Sequence, residues 1–192
     1  MKLALILALL VLPGNAFAQA DDYQFRFTFH KQVLLSQENG LAFWTNMPDL
    51  TQTAPHRTVV LGGWLNKDSG GWREVMGGAF VTFDGKIRPI FDVRLYSNAK
   101  QVDIYSEIFL MPDRAIIQSF ASTPLLPKTN RLRAGLEWEL VAPVKYGVSS
   151  KALVGPRVSL KVPKTPWLQA ATVCFFDLHG GNVVRTYVMV TR

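Results

Sequence analysis

One cysteine, three histidines and no convincing helical spacing after the first residues set the outer limits on this 192-residue chain. A lone Cys174 excludes an internal disulfide framework and a thiolate metal cluster, and its apolar setting from Ala170 to Phe176 reads as packing. His30, His56 and His179 share no strand at ligand spacing, so no metal is expected, and no other feature implies a cofactor. After the first eighteen residues no apolar run approaches the length of a membrane helix, about 20 residues, which leaves a barrel as the only way to span. Acids are also short: 14 against 21 lysines and arginines, a formal charge of +7. Such a chain can meet lipopolysaccharide phosphates, acidic polysaccharide or anionic lipid headgroups. No nucleic-acid recognition motif is present, and nucleic acid is not expected as a partner. The sequence leaves oligomeric state open.

The first residues read as a processing signal. Lys2 supplies the charge, Leu3 to Leu12 an apolar run, and Ala16-Phe17-Ala18 the small-x-small cleavage pattern. Residues 1–18 are therefore expected to be removed on export, leaving 19–192 as a single β-barrel domain.

What remains is an alternation with period two. Ile87, Pro89, Phe91, Val93 and Leu95 share one parity, with Arg88, Asp92 and Arg94 on the other. Val102, Ile104, Ile108 and Leu110 oppose Asp103, Tyr105 and Glu107. Leu132, Ala134, Leu136, Trp138 and Leu140 oppose Arg131, Arg133, Glu137 and Glu139. This is the pattern of β-strands with one apolar and one charged face. Turn residues rich in Gly, Pro, Asn and Asp recur between the runs. They predict an all-β, antiparallel up-and-down barrel of about ten strands, with 8 or 12 as alternatives. Residues 34–56 are the least readable; Leu41 to Asn46 reads as a short strand, a helix turn or a plug. Gly62-Gly63 and Gly77-Gly78 fall within strands and read as bulges or sharp curvature, not phosphate loops.

Arginine lies within strands and lysine at their ends. A washed face is content with lysine, whereas a narrow interior favours the fixed fork of arginine, which can satisfy two carboxylates. The expected interior network is Arg88, Asp92, Arg94, Asp103, Glu107, Arg131, Arg133, Glu137, Glu139, Arg157 and Arg185. Trp64, Trp72, Trp138, Trp167, Tyr96 and Tyr146 fall where interface aromatics would. The runs Lys86–Tyr96, Arg131–Leu140 and Val154–Leu160 thus resemble the small bacterial outer-membrane β-barrel class. That resemblance implies the outer membrane, outer-membrane lipid and lipopolysaccharide as partners, and a structural or slow-permeation role.

Two other readings stand beside it. A soluble periplasmic barrel would bury the apolar parity and hold an apolar ligand on Phe91, Val93, Leu136 and Trp138. An outer-membrane lipid hydrolase would use His179, oriented by Asp177, with Ser119, Ser149 or Ser159 as nucleophile; no Gly-x-Ser-x-Gly elbow marks one of them.

Overall fold

The computed structural model describes residues 22–47, 58–81, 85–126, 130–145, 150–162, 164–165 and 167–191. The expected signal segment, residues 48–56, Tyr146 and Ser149 lie outside these. Eleven strands follow in order: β1 (Asp22–Leu34), β2 (Asn39–Met47), β3 (Thr58–Lys67), β4 (Gly71–Val81), β5 (Ile87–Ala99), β6 (Val102–Leu110), β7 (Arg114–Pro124), β8 (Leu132–Pro143), β9 (Lys151–Lys161), β10 (Leu168–Asp177) and β11 (Asn182–Thr191). Each pairs with its sequence neighbours, and β11 closes the sheet onto β1.

The count exceeds the expected ten by β2, which occupies the part of residues 34–56 that the sequence leaves unassigned. An odd number has a geometric consequence. Successive strands alternate in direction, so the first and last point the same way. The closing pair β1–β11 is accordingly parallel, with Asp22 opposite Val183 and His30 opposite Thr191, while the other pairings are antiparallel. Turns after β1, β3, β5, β7 and β9 form one end of the barrel, here the proximal end; those after the even strands form the distal end. At the proximal end Lys100 and Gln101 join β5 to β6 with φ of 49° and 71°. A two-residue primed turn needs positive φ at both positions to match the twist of its strands.

The apolar parity faces outward. Leu136 is 62% exposed, Trp64 50% and Phe91 46%, whereas Glu74, Asp92 and Glu137 are fully buried. Phe91, Leu136 and Trp138 therefore cannot line an interior ligand site, nor can Val93, which shares their parity. Among the described strand residues, outward-parity charges are confined to Lys31 and Arg73, both close to the proximal end. Leu160, Val184 and Thr186 are buried although their parity turns outward. Inside, β2 to β5 contribute an apolar half, including Trp44, Leu61, Leu65, Met76 and Ile90. The charged residues come mostly from the remaining strands.

Candidate functional site: a charged lumen with a cup at its distal end

A charge inside a narrow barrel is tolerable only when its donors and acceptors are met. In the described lumen this is done with four guanidinium–carboxylate sets and one imidazole–carboxylate set. On β5 and β6, Arg94 donates from Nε to Asp92 (2.7 Å) and from Nη2 to Glu107 (2.9 Å), whose other oxygen accepts the Tyr105 hydroxyl at 2.7 Å. Arg157 reaches Glu137 from β9 to β8, and Glu137 also accepts from Gln118 and the Tyr187 hydroxyl, each at 2.6 Å. Arg185 grips Glu139 with two nitrogens, at 2.7 and 3.2 Å, and donates from Nε to Gln24 at 2.8 Å. Arg133 meets Asp103 at 2.9 Å and the carbonyls of Gln101 and Ser122 at 2.7 Å each. Asp103 accepts the Tyr96 hydroxyl as well.

The fifth set has no counterpart in the sequence-based network. Glu74 accepts from His30 Nε2 (2.8 Å), Gln32 (2.8 Å) and the Trp44 indole (2.7 Å). His30 stacks on Trp44 with centroids 4.0 Å apart, and Trp72 stacks on Tyr96 at 5.6 Å. Trp72 and Tyr96 thus face the lumen and are not interface aromatics; Trp64, Trp138 and Trp167 are exposed. Glu74 is the one acid of β4, and only the fold brings His30 to it. Arg26, also on β1, approaches Glu139 at 3.8 Å.

Aromatic faces complete the packing. Arg94 lies over Trp44 with 3.8 Å from guanidinium carbon to ring centroid, Arg157 over Phe120 at 4.1 Å and Arg185 over Phe175 at 4.8 Å. Asp92 Oδ1, Arg94 Nη1 and Arg157 Nε are buried with no hydrogen-bond partner among the described residues. The ring beneath each guanidinium supplies the electrostatic contact there.

Not every nominated residue joins the network. Arg131 is exposed in the turn before β8, where its carbonyl accepts from the Lys161 amide at 2.9 Å; the strand, and with it the inward–outward alternation, begins only at Leu132. Arg88 stands at the distal mouth, with its side chain 49% exposed, 3.4 Å from Asp113, which Arg114 also holds at 3.0 Å. The Arg114 hydrogen bond keeps the Asp113 carboxyl below its ordinary range.

That mouth opens into a cavity of about 410 Å³. Val59, Phe80, Phe109, Met111 and Ile116 give it apolar surface, and Arg26, Gln118 and Glu139 give it polar surface. Below it lie the buried charge sets described above and the apolar cluster of Trp44, Leu61, Leu65 and Met76, so the cavity is a cup.

His179 lies in the exposed β10–β11 turn, its Nδ1 3.3 Å from Asp177, whose same oxygen accepts the His179 amide at 2.9 Å. This is a turn-closing arrangement. Ser119 instead accepts from Ser106 at 2.9 Å and donates to the Tyr105 carbonyl at 2.7 Å, and Ser159 is buried opposite Arg133, towards the proximal end. Neither accompanies His179. Among the described residues no group of three or more His, Cys, Asp or Glu is placed to hold a metal ion.

No protein-family model matches the chain, and no curated protein sequence matches it significantly. The class is therefore set by architecture: an eleven-stranded closed β-barrel with buried charged residues.

Proposed function

We propose that this chain is an outer-membrane β-barrel whose interior is closed by its own charge network, with a structural role and no conducting pore. The observation that carries the reading is the inversion of the two faces. Large apolar side chains are exposed around the barrel while Arg, Asp and Glu are buried. In water an outer surface of this kind would invite association; against hydrocarbon it is the favourable arrangement. Strands of 9 to 13 residues suit a tilted span, which takes about 9–11. Two outward hydroxyls satisfy each other, in the Ser106–Ser119 pair, an arrangement that a lipid-facing wall favours.

The ends differ in a way that bears on partners. Exposed Lys31, Lys67, Arg73, Lys100, Arg131 and Lys164 gather at the proximal end, against Glu38 and Asp68. Such a rim favours anionic headgroups, lipopolysaccharide phosphates among them. Slow permeation is disfavoured because fully buried Glu74, Asp92 and Glu137 stand across the lumen from β4, β5 and β8.

Cell fractionation with gel mobility before and after heating tests the proposal. Retention in the outer-membrane fraction after carbonate, with a compact unheated band, is expected. Full release by carbonate or salt would refute it.

A further inference from the structure

The distal cup has more to offer than a filled lumen requires. Its acids already have their acceptors engaged. Glu139 takes two nitrogens of Arg185, and Glu107 takes Arg94 and the Tyr105 hydroxyl. Its mouth cations are differently placed. Arg88 and Arg114 converge on one and the same oxygen of Asp113, at 3.4 and 3.0 Å, and their side chains are 49% and 33% exposed. A guanidinium carries five donors, so one shared carboxylate oxygen leaves donor capacity in excess of acceptors at this point. Immediately beneath lie Phe80, Phe109, Met111, Ile116 and Val59. A cavity of about 410 Å³ suits a small molecule, since such sites run from about 300 to 1,000 Å³.

We infer that the cup binds a small amphipathic anion, its carboxylate head held by Arg88 and Arg114 and its apolar body lying on Phe109, Met111 and Ile116. Asp113 then acts as a built-in competitor: it occupies the two guanidiniums when the cup is empty and must yield part of their fork when the ligand arrives. A cationic amphiphile of equal length meets two arginines at the mouth and is rejected there. The inference concerns the lumen alone and holds whatever medium meets the outer face.

The test uses the full folded barrel, in phosphatidylcholine nanodiscs or in plain buffer according to the fraction in which it is found, with ¹³C-labelled methionine methyls, the Met111 signal being assigned by Met111→Leu. Octanoate, octylamine and 1-octanol share one chain and differ in head charge. Octanoate is expected to shift the Met111 methyl saturably, with the amine and the alcohol at least about tenfold weaker. Arg114→Gln and Arg88→Gln should each weaken octanoate by about tenfold. Asp113→Asn should tighten it severalfold, a gain that damage to the fold cannot produce. Octylamine binding as well as octanoate, a silent Met111 methyl, or an Asp113→Asn variant with unchanged or weaker affinity would overturn the inference.

Discussion

Arg94 meets Trp44 with its face and two acids with its edge: its guanidinium carbon lies 3.8 Å from the Trp44 ring centroid while its nitrogens donate to Asp92 and Glu107. A planar cation can serve a ring with its face and acids with its rim at once, which an ammonium cannot.

Replacing that cation should expose the debt. Arg94→Leu leaves Asp92 and Glu107 without their guanidinium and is expected to cost about 3–5 kcal/mol. Arg94→Lys should recover only part of this, because the fork is lost. Urea-dependent unfolding followed by tryptophan fluorescence measures both; equal stability of Arg94→Lys and the parent would contradict the role given to the fork.

Glu137 and Arg157 offer a cleaner partition. Glu137→Ala strands the buried Arg157 guanidinium and removes the acceptor of Gln118 and Tyr187. Arg133→Ala likewise takes the guanidinium from Asp103, which keeps only the neutral donors of Tyr96 and Asn98. Each is expected to lose about 3–5 kcal/mol. The double variant Glu137→Gln/Arg157→Met should be markedly more stable than the sum of its single changes. Additive losses would mean that the two groups are solvated separately.

Adjacent glycines on β4 should behave oppositely. A Cβ on Gly78 would lie 2.0 Å from the Val60 carbonyl oxygen, a backbone atom of β3 that cannot step aside; one on Gly77 meets nothing within 4 Å. Gly77→Ala is therefore expected to assemble normally and Gly78→Ala to disrupt the β3–β4 pairing. The compact unheated gel band reports assembly, and its survival in Gly78→Ala would show that the strands can separate without loss.

The mouth has a predictable response to acid. Hydrogen bonding from Arg114 holds Asp113 below the ordinary aspartate value of 3.8. A depressed folded-state pKa stabilises the clasp above the ordinary value and withdraws that stabilisation as pH falls through the depressed one. The Arg88–Asp113–Arg114 clasp should thus persist from neutral pH down past the ordinary aspartate value of 3.8 and open only as pH falls through the depressed one. Carboxyl ¹³C titration of Asp113 checks this, and Arg114→Gln should move the midpoint upward.

The alternation exposed most of this architecture because a barrel wall has two media, and each strand carries both in strict turn. It failed at β2, where Ala42 and Trp44 face inward and Leu41 and Phe43 outward, so that both parities are apolar and no contrast marks the strand. Within the site, Arg94, Arg133, Glu137 and Arg185 were legible from parity alone. The partnership of Glu74 with His30, 44 residues apart, was not, because it arises from β1 and β4 meeting across the lumen. Depth was equally hidden: Arg88 and Arg94 share a strand and a parity, yet one guards a mouth and the other is sealed in. Parity gives direction and says nothing about height.

The parallel seam between β1 and β11 has a last implication. Because the strand count is odd, the chain enters the barrel at the distal rim and leaves it at the proximal rim. Any sequence attached before β1 and any attached after β11 would stand at opposite ends of the barrel. Two reporters placed there would therefore report on the two rims separately in a single molecule, and no short linker could join them into a ring.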